Sequence, residues 1–302
     1  MFASIGLSNL SKKIEKNNEK QILLPSQKNF ANEKITISEN LNFKKSSNLE
    51  KLSEKPVVEA SSAILWIPES GEILYAKNIS ERRQVGSLMK IFVALYSVEK
   101  YQNLDEILIV PNIKISAEES QVGLFPNDKI SVRNLLRYAL IVSGNDASWT
   151  LSGGYKDETS KKFVNETNTM IKNKLKLKNT NLVDPSGIDA ENQFSTAFDI
   201  ANASFYLLQN DFLKSLVNTK EFTAITSKFG TKKFYNTNQL LSYSYLDIRG
   251  IKTGTTDLAG PSLSAYAKLH DGNSMICVVL NSPNRFQECK NLLSWGSKFY
   301  EK

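Results

Sequence analysis

The chain has 302 residues, 41% of them apolar, and a formal net charge of +7. That length and apolar content support one large domain or two small ones without covalent staples. One histidine and two well separated cysteines leave out the ligand clusters of a zinc site and a well placed Ser-His-Asp triad, and no basic run alternates with aromatics as in a nucleic-acid module.

Residues 1–57 are dominated by Lys, Asn, Ser and Glu without a sustained period, which predicts a disordered tail. The opening "MFASIGLSNLSKKIEK" sets an apolar patch before its lysines, the reverse of a signal peptide, so no signal peptide is read there. The composition shifts near Val57, and residues 58–302 read as the folded domain. Within it, "SSAILWIPESGEILYAKN" predicts two strands joined by a turn at Pro68 to Gly71.

From Gly86 to Lys100, Leu88, Ile91, Phe92, Leu95 and Val98 recur at helical spacing, with Ala94 widening the apolar surface, which predicts a buried helix. Amphipathic segments follow between about 104 and 245, so helices are expected to dominate there. One of them, "STAFDIANASFYLLQN", is opened by Thr196 with Asp199 three residues on as a cap. Three strand-like runs, "DIRGIKTG", "PSLSAYAKL" and "SMICVVLNS", precede a last amphipathic segment from about Asn284 to Tyr300. The short connection "HDGN" favours antiparallel pairing and puts His270 in an exposed loop. Cys277 and Cys289 lie in apolar surroundings and read as two buried thiols, with one disulfide between them as the alternative. An antiparallel sheet made from both ends of the domain, with a largely helical insertion, is therefore expected. No stretch reaches the ~18 consecutive apolar residues of a membrane span.

Ser-x-x-Lys occurs twice in "QVGSLMKIFVALYSVEKYQ", as Ser87 with Lys90 and as Ser97 with Lys100. Residues three apart on a helix share a face, so either lysine is within reach of its serine. Ser87 falls at the helix start, where free N–H groups and the positive end of the dipole favour an oxyanion. Ser97 lies nearly three turns further in, where serine is ordinarily spent on packing or a bond to the preceding turn. Ser143-Gly144-Asn145 closes an apolar helical run; Ser38-Glu39-Asn40 shows how cheaply that pattern arises. Lys252-Thr253-Gly254-Thr255 sits on a strand and holds the chain's one Lys-Thr-Gly.

Each motif alone is weak, but the three in this order on one domain are the set found in penicillin-binding proteins and class A β-lactamases. The sequence resembles the serine D-alanyl-D-alanine carboxypeptidases of low molecular mass over roughly residues 58–300. "AILWIPESGEILYAKN" resembles the opening hairpin of that family, "LIVSGNDAS" the setting of its second motif, and "IKTGTTDLAG" its third. "NTNLVDPSGID" and "FSTAFDIA" resemble its later helical segments, and "LLSWG" its closing helix. Gly86 and Met89 depart from the usual first motif without touching nucleophile or base.

The resemblance implies an α/β (α+β) fold of the β-lactamase/transpeptidase-like class and acyl transfer without metal or cofactor. Ser87 would be the nucleophile and Lys90 its base, made less basic by burial and by Lys252. Ser143 would relay a proton to the leaving amine, and Asn145 would hold Lys90 and the substrate amide. Lys252 and Thr253 would bind the terminal carboxylate, Gly254 would let substrate lie along the strand, and the N–H groups of Ser87 and Thr255 would form the oxyanion hole.

Peptidoglycan stem peptides are the implied substrates and β-lactam antibiotics the implied covalent inhibitors, with no nucleic-acid partner, which places the protein outside the cytoplasm. About fifty residues follow Lys252, too few for the β-rich second domain and anchoring helix of many carboxypeptidases. A D,D-endopeptidase is therefore the alternative. A β-lactamase is disfavoured because no Glu-x-x-Leu-Asn segment lies between the second and third motifs. A silent peptidoglycan-binding module is disfavoured because every motif residue is present.

Overall fold

The computed structural model describes residues 44–45, 55–243 and 246–300. Most of the span expected to be a tail lies outside the described residues. Within that span Lys44–Lys45 (β1) form a two-residue strand.

Ser62–Ile67 (β2) and Glu72–Lys77 (β3) make the predicted hairpin, its turn closed by Gly71 N donating to Pro68 O at 3.2 Å. The predicted buried helix begins as a tight 3-10 turn, Gly86–Met89, and continues as Lys90–Lys100 (α1). Ile107–Ile109 (β4) pairs with Lys129–Ser131 (β5) ahead of Val132–Arg137 (α2). A widened turn, Tyr138–Val142, then leads to Asn145–Leu151 (α3) and on to Glu158–Asn173 (α4). Ala197–Leu208 (α5) and Asp211–Val217 (α6) precede a second small hairpin, Glu221–Thr226 (β6) with Gly230–Tyr235 (β7). The chain closes with Ile248–Gly254 (β8), Ser262–Lys268 (β9), Ser274–Leu280 (β10) and Arg285–Ser297 (α7).

The main sheet has the order β1-β3-β2-β10-β9-β8, antiparallel except for β1 against β3, so strands from both ends of the domain meet at the β2–β10 pair. Alternation explains why β2 and β10 read as unbroken apolar runs. Ile64, Trp66, Ile276 and Val278 face one core with α1 and α5, while Leu65, Ile67, Cys277 and Val279 face another with α7. Both faces of the sheet are covered, and each fully buried side chain of this size contributes about 1.5–3 kcal/mol. Cys277 and Cys289 are buried, unbridged thiols of the α7 layer, and His270 is exposed.

Three features differ from expectation. The middle of the chain holds the β4–β5 pair and the β6–β7 hairpin as well as helices; β6 and β7 pack Phe222 and Phe234 as a stacked pair on one face and leave Ile225 exposed on the other. The segment "NTNLVDPSGID" is a loop rather than a helix, because Pro185 and Gly187, at φ +81°, break it. The cap at Thr196 is present, its side chain accepting from Asp199 N at 3.0 Å, but the Asp199 carboxylate turns away to bind Asn179 N and Thr180 Oγ1.

A bulge between Arg249 and Ile251 resets the register of β8. Lys252 consequently pairs with Ser264, whose hydroxyl meets Ser204 of α5 at 2.7 Å. Without the bulge Lys252 would lie opposite Leu263, on the α7 face of the sheet.

Candidate active site

Ser87 stands in the first turn before α1, at the edge of the sheet beside β8. Its Oγ lies 2.8 Å from Lys90 Nζ, one helical turn on. Lys90 is fully buried, and its Nζ also donates to Asn145 Oδ1 at 2.8 Å and to the main-chain carbonyl of Ser186. Burial draws the amine from its ordinary value down to about 7, against the opposing charges of Asp184, Asp146 and Glu119.

Asn145 opens α3 one residue beyond Gly144, and Ser143 before that glycine takes the left-handed conformation at φ +66° and so turns the chain sharply between the two segments. Asn145 Nδ2 donates to Glu119 Oε2 at 2.8 Å, which fixes the amide so that its oxygen meets Lys90. Asp146, also buried, accepts from the N–H groups of Val122, Gly123 and Leu124 and pins that loop against α3. Charge-assisted bonds of this kind are about twice as strong as neutral ones.

From the sheet side, Lys252 Nζ donates to Ser143 Oγ at 2.8 Å and to Thr253 O at 3.0 Å. Burial, then the charges of Lys90 and Arg285, hold this amine well below its ordinary value. Thr253 Oγ1 donates to Thr237 Oγ1 at 2.6 Å, and Thr237 is itself held by Ile141 O. Gly254 is required for close approach: a Cβ there would meet Val85 O at 2.5 Å and Ser87 N at 3.2 Å. The N–H groups of Ser87 and Thr255 are neighbours across this junction, since a Cβ on Gly86 would lie 3.1 Å from Thr255 N.

All eight residues expected from the motifs therefore meet at one place, where the helical part abuts β8. The second Ser-x-x-Lys does not. Ser97 is fully buried within α1, its hydroxyl packed without a hydrogen-bond partner among the described residues, and Lys100 pairs with Glu166 at 3.5 Å.

Four contributors were not anticipated. Ser186 acts through a main-chain carbonyl, which no side-chain motif reports. Asp184 and Glu119 reach the site from loops far away in sequence. Arg285, at the start of α7, donates to Gly254 O at 2.8 Å and Thr255 Oγ1 at 2.7 Å, so it braces the end of β8. "DPSG" was the available signal for the first two, as a turn sequence.

The family model for D-alanyl-D-alanine carboxypeptidase matches residues 49–284. The D-alanyl-D-alanine carboxypeptidase DacC of Escherichia coli (strain K12) is 34% identical over 267 residues, covering 83% of this chain and 64% of that relative. The chain thus spans less than two thirds of that relative's length. The crystal structure of the DD-transpeptidase of Streptomyces strain K15 superposes with a TM-score of 0.73 at 30% identity, covering 81% of this chain and 99% of that one. Penicillin binding protein 5 from Haemophilus influenzae gives a TM-score of 0.71 at 29% identity over 81% of this chain and 72% of its own. The architecture is the β-lactamase/transpeptidase-like fold. With its fold matched along nearly the whole of a solved relative and its sequence matched by the family model over most of its length, the chain belongs to the D-alanyl-D-alanine carboxypeptidase family.

Proposed function

We propose that the protein is a serine D-alanyl-D-alanine carboxypeptidase that trims peptidoglycan stem peptides through an acyl-enzyme at Ser87. The observation that carries this reading is the buried Lys90 amine, held 2.8 Å from the Ser87 hydroxyl and poised near neutrality. Ser87 Oγ attacks the carbonyl between the two D-alanines and gives its proton to Lys90. The N–H groups of Ser87 and Thr255 receive the oxyanion, one such donor being worth ~2.7–4 kcal/mol. Ser143, tied to Lys252, passes a proton to the leaving amine. Lys252 and Thr253 hold the terminal carboxylate, with Arg285 keeping the strand end in place. Water then releases the acyl group, and β-lactam antibiotics act as covalent inhibitors by acylating the same serine.

The relatives' carboxypeptidase names favour this reading over a D,D-endopeptidase. Incubation with a monomeric pentapeptide and with a cross-linked dimer separates them: release of free D-alanine is expected, and release of monomers without it would contradict the proposal. A cell-wall substrate places the enzyme outside the cytoplasm. Among the described residues no helix is long and apolar enough to cross a membrane.

The pH dependence follows from Lys90. The neutral amine is the base, so the second-order rate of acylation by a penicillin should rise with pH, be half-maximal near 7 and level off above. A rate independent of pH between 5 and 9 would contradict the assignment.

A further inference from the structure

The proposed chemistry asks two things of Lys90: that it be neutral when substrate arrives, and that it accept a proton once Ser87 attacks. As the bond from Ser87 Oγ to the carbonyl carbon forms, the hydroxyl proton passes to the lone pair of Lys90 Nζ and the π pair of the carbonyl moves to its oxygen. A new cation is thereby created in a fully buried place, where an uncompensated charge is costly. Something nearby has to receive it.

Four charged groups besides Asp184 face Lys90 or its neighbour Lys252, and Lys156 faces Asp184 itself, favouring its ionised form. Asp146 on α3 is committed to backbone N–H groups, those of Val122, Gly123, Leu124 and Ala147. Glu119, from the loop before α3, is committed to Asn145 Nδ2 and to Ser116 N. Lys252 on β8, with Arg285 of α7 beyond it, carries the wrong sign to favour a protonated neighbour.

Asp184 differs in where its bonds go. Its Oδ1 accepts from Ser186 N at 2.7 Å and from Ser186 Oγ, and its carbonyl accepts from Gly187 N at 3.1 Å. The loop is held from behind by Gln193, whose Oε1 accepts from Val183 N and Asp184 N and whose Nε2 donates to Ile188 O. This clamp leaves one group of Ser186 facing the chemistry, its carbonyl, which accepts from Lys90 Nζ and lies 3.5 Å from Ser87 Oγ. The carboxyl is itself mostly buried, so little solvent screens it from the amine.

Building on the acyl-transfer reading, we propose that Asp184 is a positioning residue for Lys90: it fixes the Ser186 carbonyl that holds the base, and its carboxylate stabilises the proton that Lys90 takes from Ser87. Of the three acidic neighbours, Asp184 exerts the largest pull on Lys90 toward the protonated form.

The test is the pH dependence of acylation by a fluorescent penicillin for the wild-type chain, Asp184→Asn and Asp184→Glu. Asn keeps an acceptor for Ser186 and removes the charge. Lys90 then gives up its proton more readily, so the rising limb should move toward acid by about 1 pH unit, and the plateau should fall because the base is weaker. Glu keeps the charge and displaces the Ser186 bonds, so the limb should stay where the wild type has it while the plateau drops. A limb that does not move in Asp184→Asn, or that moves equally in both variants, would overturn the proposal and leave Asp184 a loop brace. Absence of wild-type acylation at Ser87 would instead contradict the enzymatic reading itself, so the two failures are distinguishable.

Discussion

Replacing Lys90 by alanine is expected to lower the rate of penicillin acylation by ~10²- to 10⁴-fold, the range over which positioned proton transfer acts. Among the described residues nothing else within reach replaces the amine. Lys252 is bonded to Ser143 and Thr253 O, and Asn145 offers Lys90 only an acceptor, its amide donor being spent on Glu119. The fold should survive the change. The variant leaves Ser186 O and Asn145 Oδ1 without their buried donor, at about 1–3 kcal/mol for such a loss, against the ~5–15 kcal/mol that holds a domain together. It also removes an amine whose charged form burial disfavours. Stopped-flow acylation beside a thermal melt checks both parts: a folded Lys90→Ala protein that acylates at the wild-type rate would refute the base assignment.

A second large effect is expected at Gly187, which touches neither substrate nor proton. Its φ of +81° is strained for any residue with a Cβ, at about 1–2 kcal/mol. A Cβ there would also stand 2.3 Å from Gly86 O and 3.1 Å from Ser87 Cα, against backbone that cannot swing aside as a side chain does. Overpacking of this kind costs about 1–3 kcal/mol more. The available relief is for loop 183–188 to retreat from the nucleophile, which carries the Ser186 carbonyl away from Lys90. A misplacement of ~1 Å at a reacting centre costs ~10²-fold. Gly187→Ala should therefore lose both melting temperature and about 100-fold in acylation rate. Gly71→Ala is the matched control: its φ is also positive, but nothing lies within 4 Å of the added methyl, so it should cost stability alone. Equal acylation by both variants would show that contact with the Ser87 turn does not matter.

Much of the site was legible because its chemistry is written locally. Ser87 and Lys90 sit one helical turn apart, Ser143 and Asn145 flank a single glycine, and Lys252 to Thr255 are consecutive. Position along one helix was enough to separate Ser87 from Ser97, and the buried packing of Ser97 agrees with that separation. Likewise the strand-like apolar runs at both ends of the domain, β2 near its start and β10 near its end, with the short connection before β10, announced an antiparallel sheet made from both ends. What escaped depends on tertiary approach. The Ser186 carbonyl belongs to every residue type alike, and Asp184 matters through a loop whose Pro and Gly were overshadowed by a helical resemblance. The bulge at Gly250 decides which face Lys252 takes, yet a lone glycine in a strand does not say how the register resets. The β6–β7 hairpin gives little signal in the sequence because its alternation is short and carried largely by threonines and lysines.

The central claim is that acyl transfer runs through Ser87 and not through the second Ser-x-x-Lys. Covalent labelling by a fluorescent penicillin, with the modified peptide located by mass spectrometry, tests it directly on the wild-type chain, Ser87→Ala and Ser97→Ala. Labelling of the wild type and of Ser97→Ala, with complete loss in Ser87→Ala, is the expected result. A folded Ser87→Ala protein that still carries the label, or a folded wild type that never does, would contradict the account.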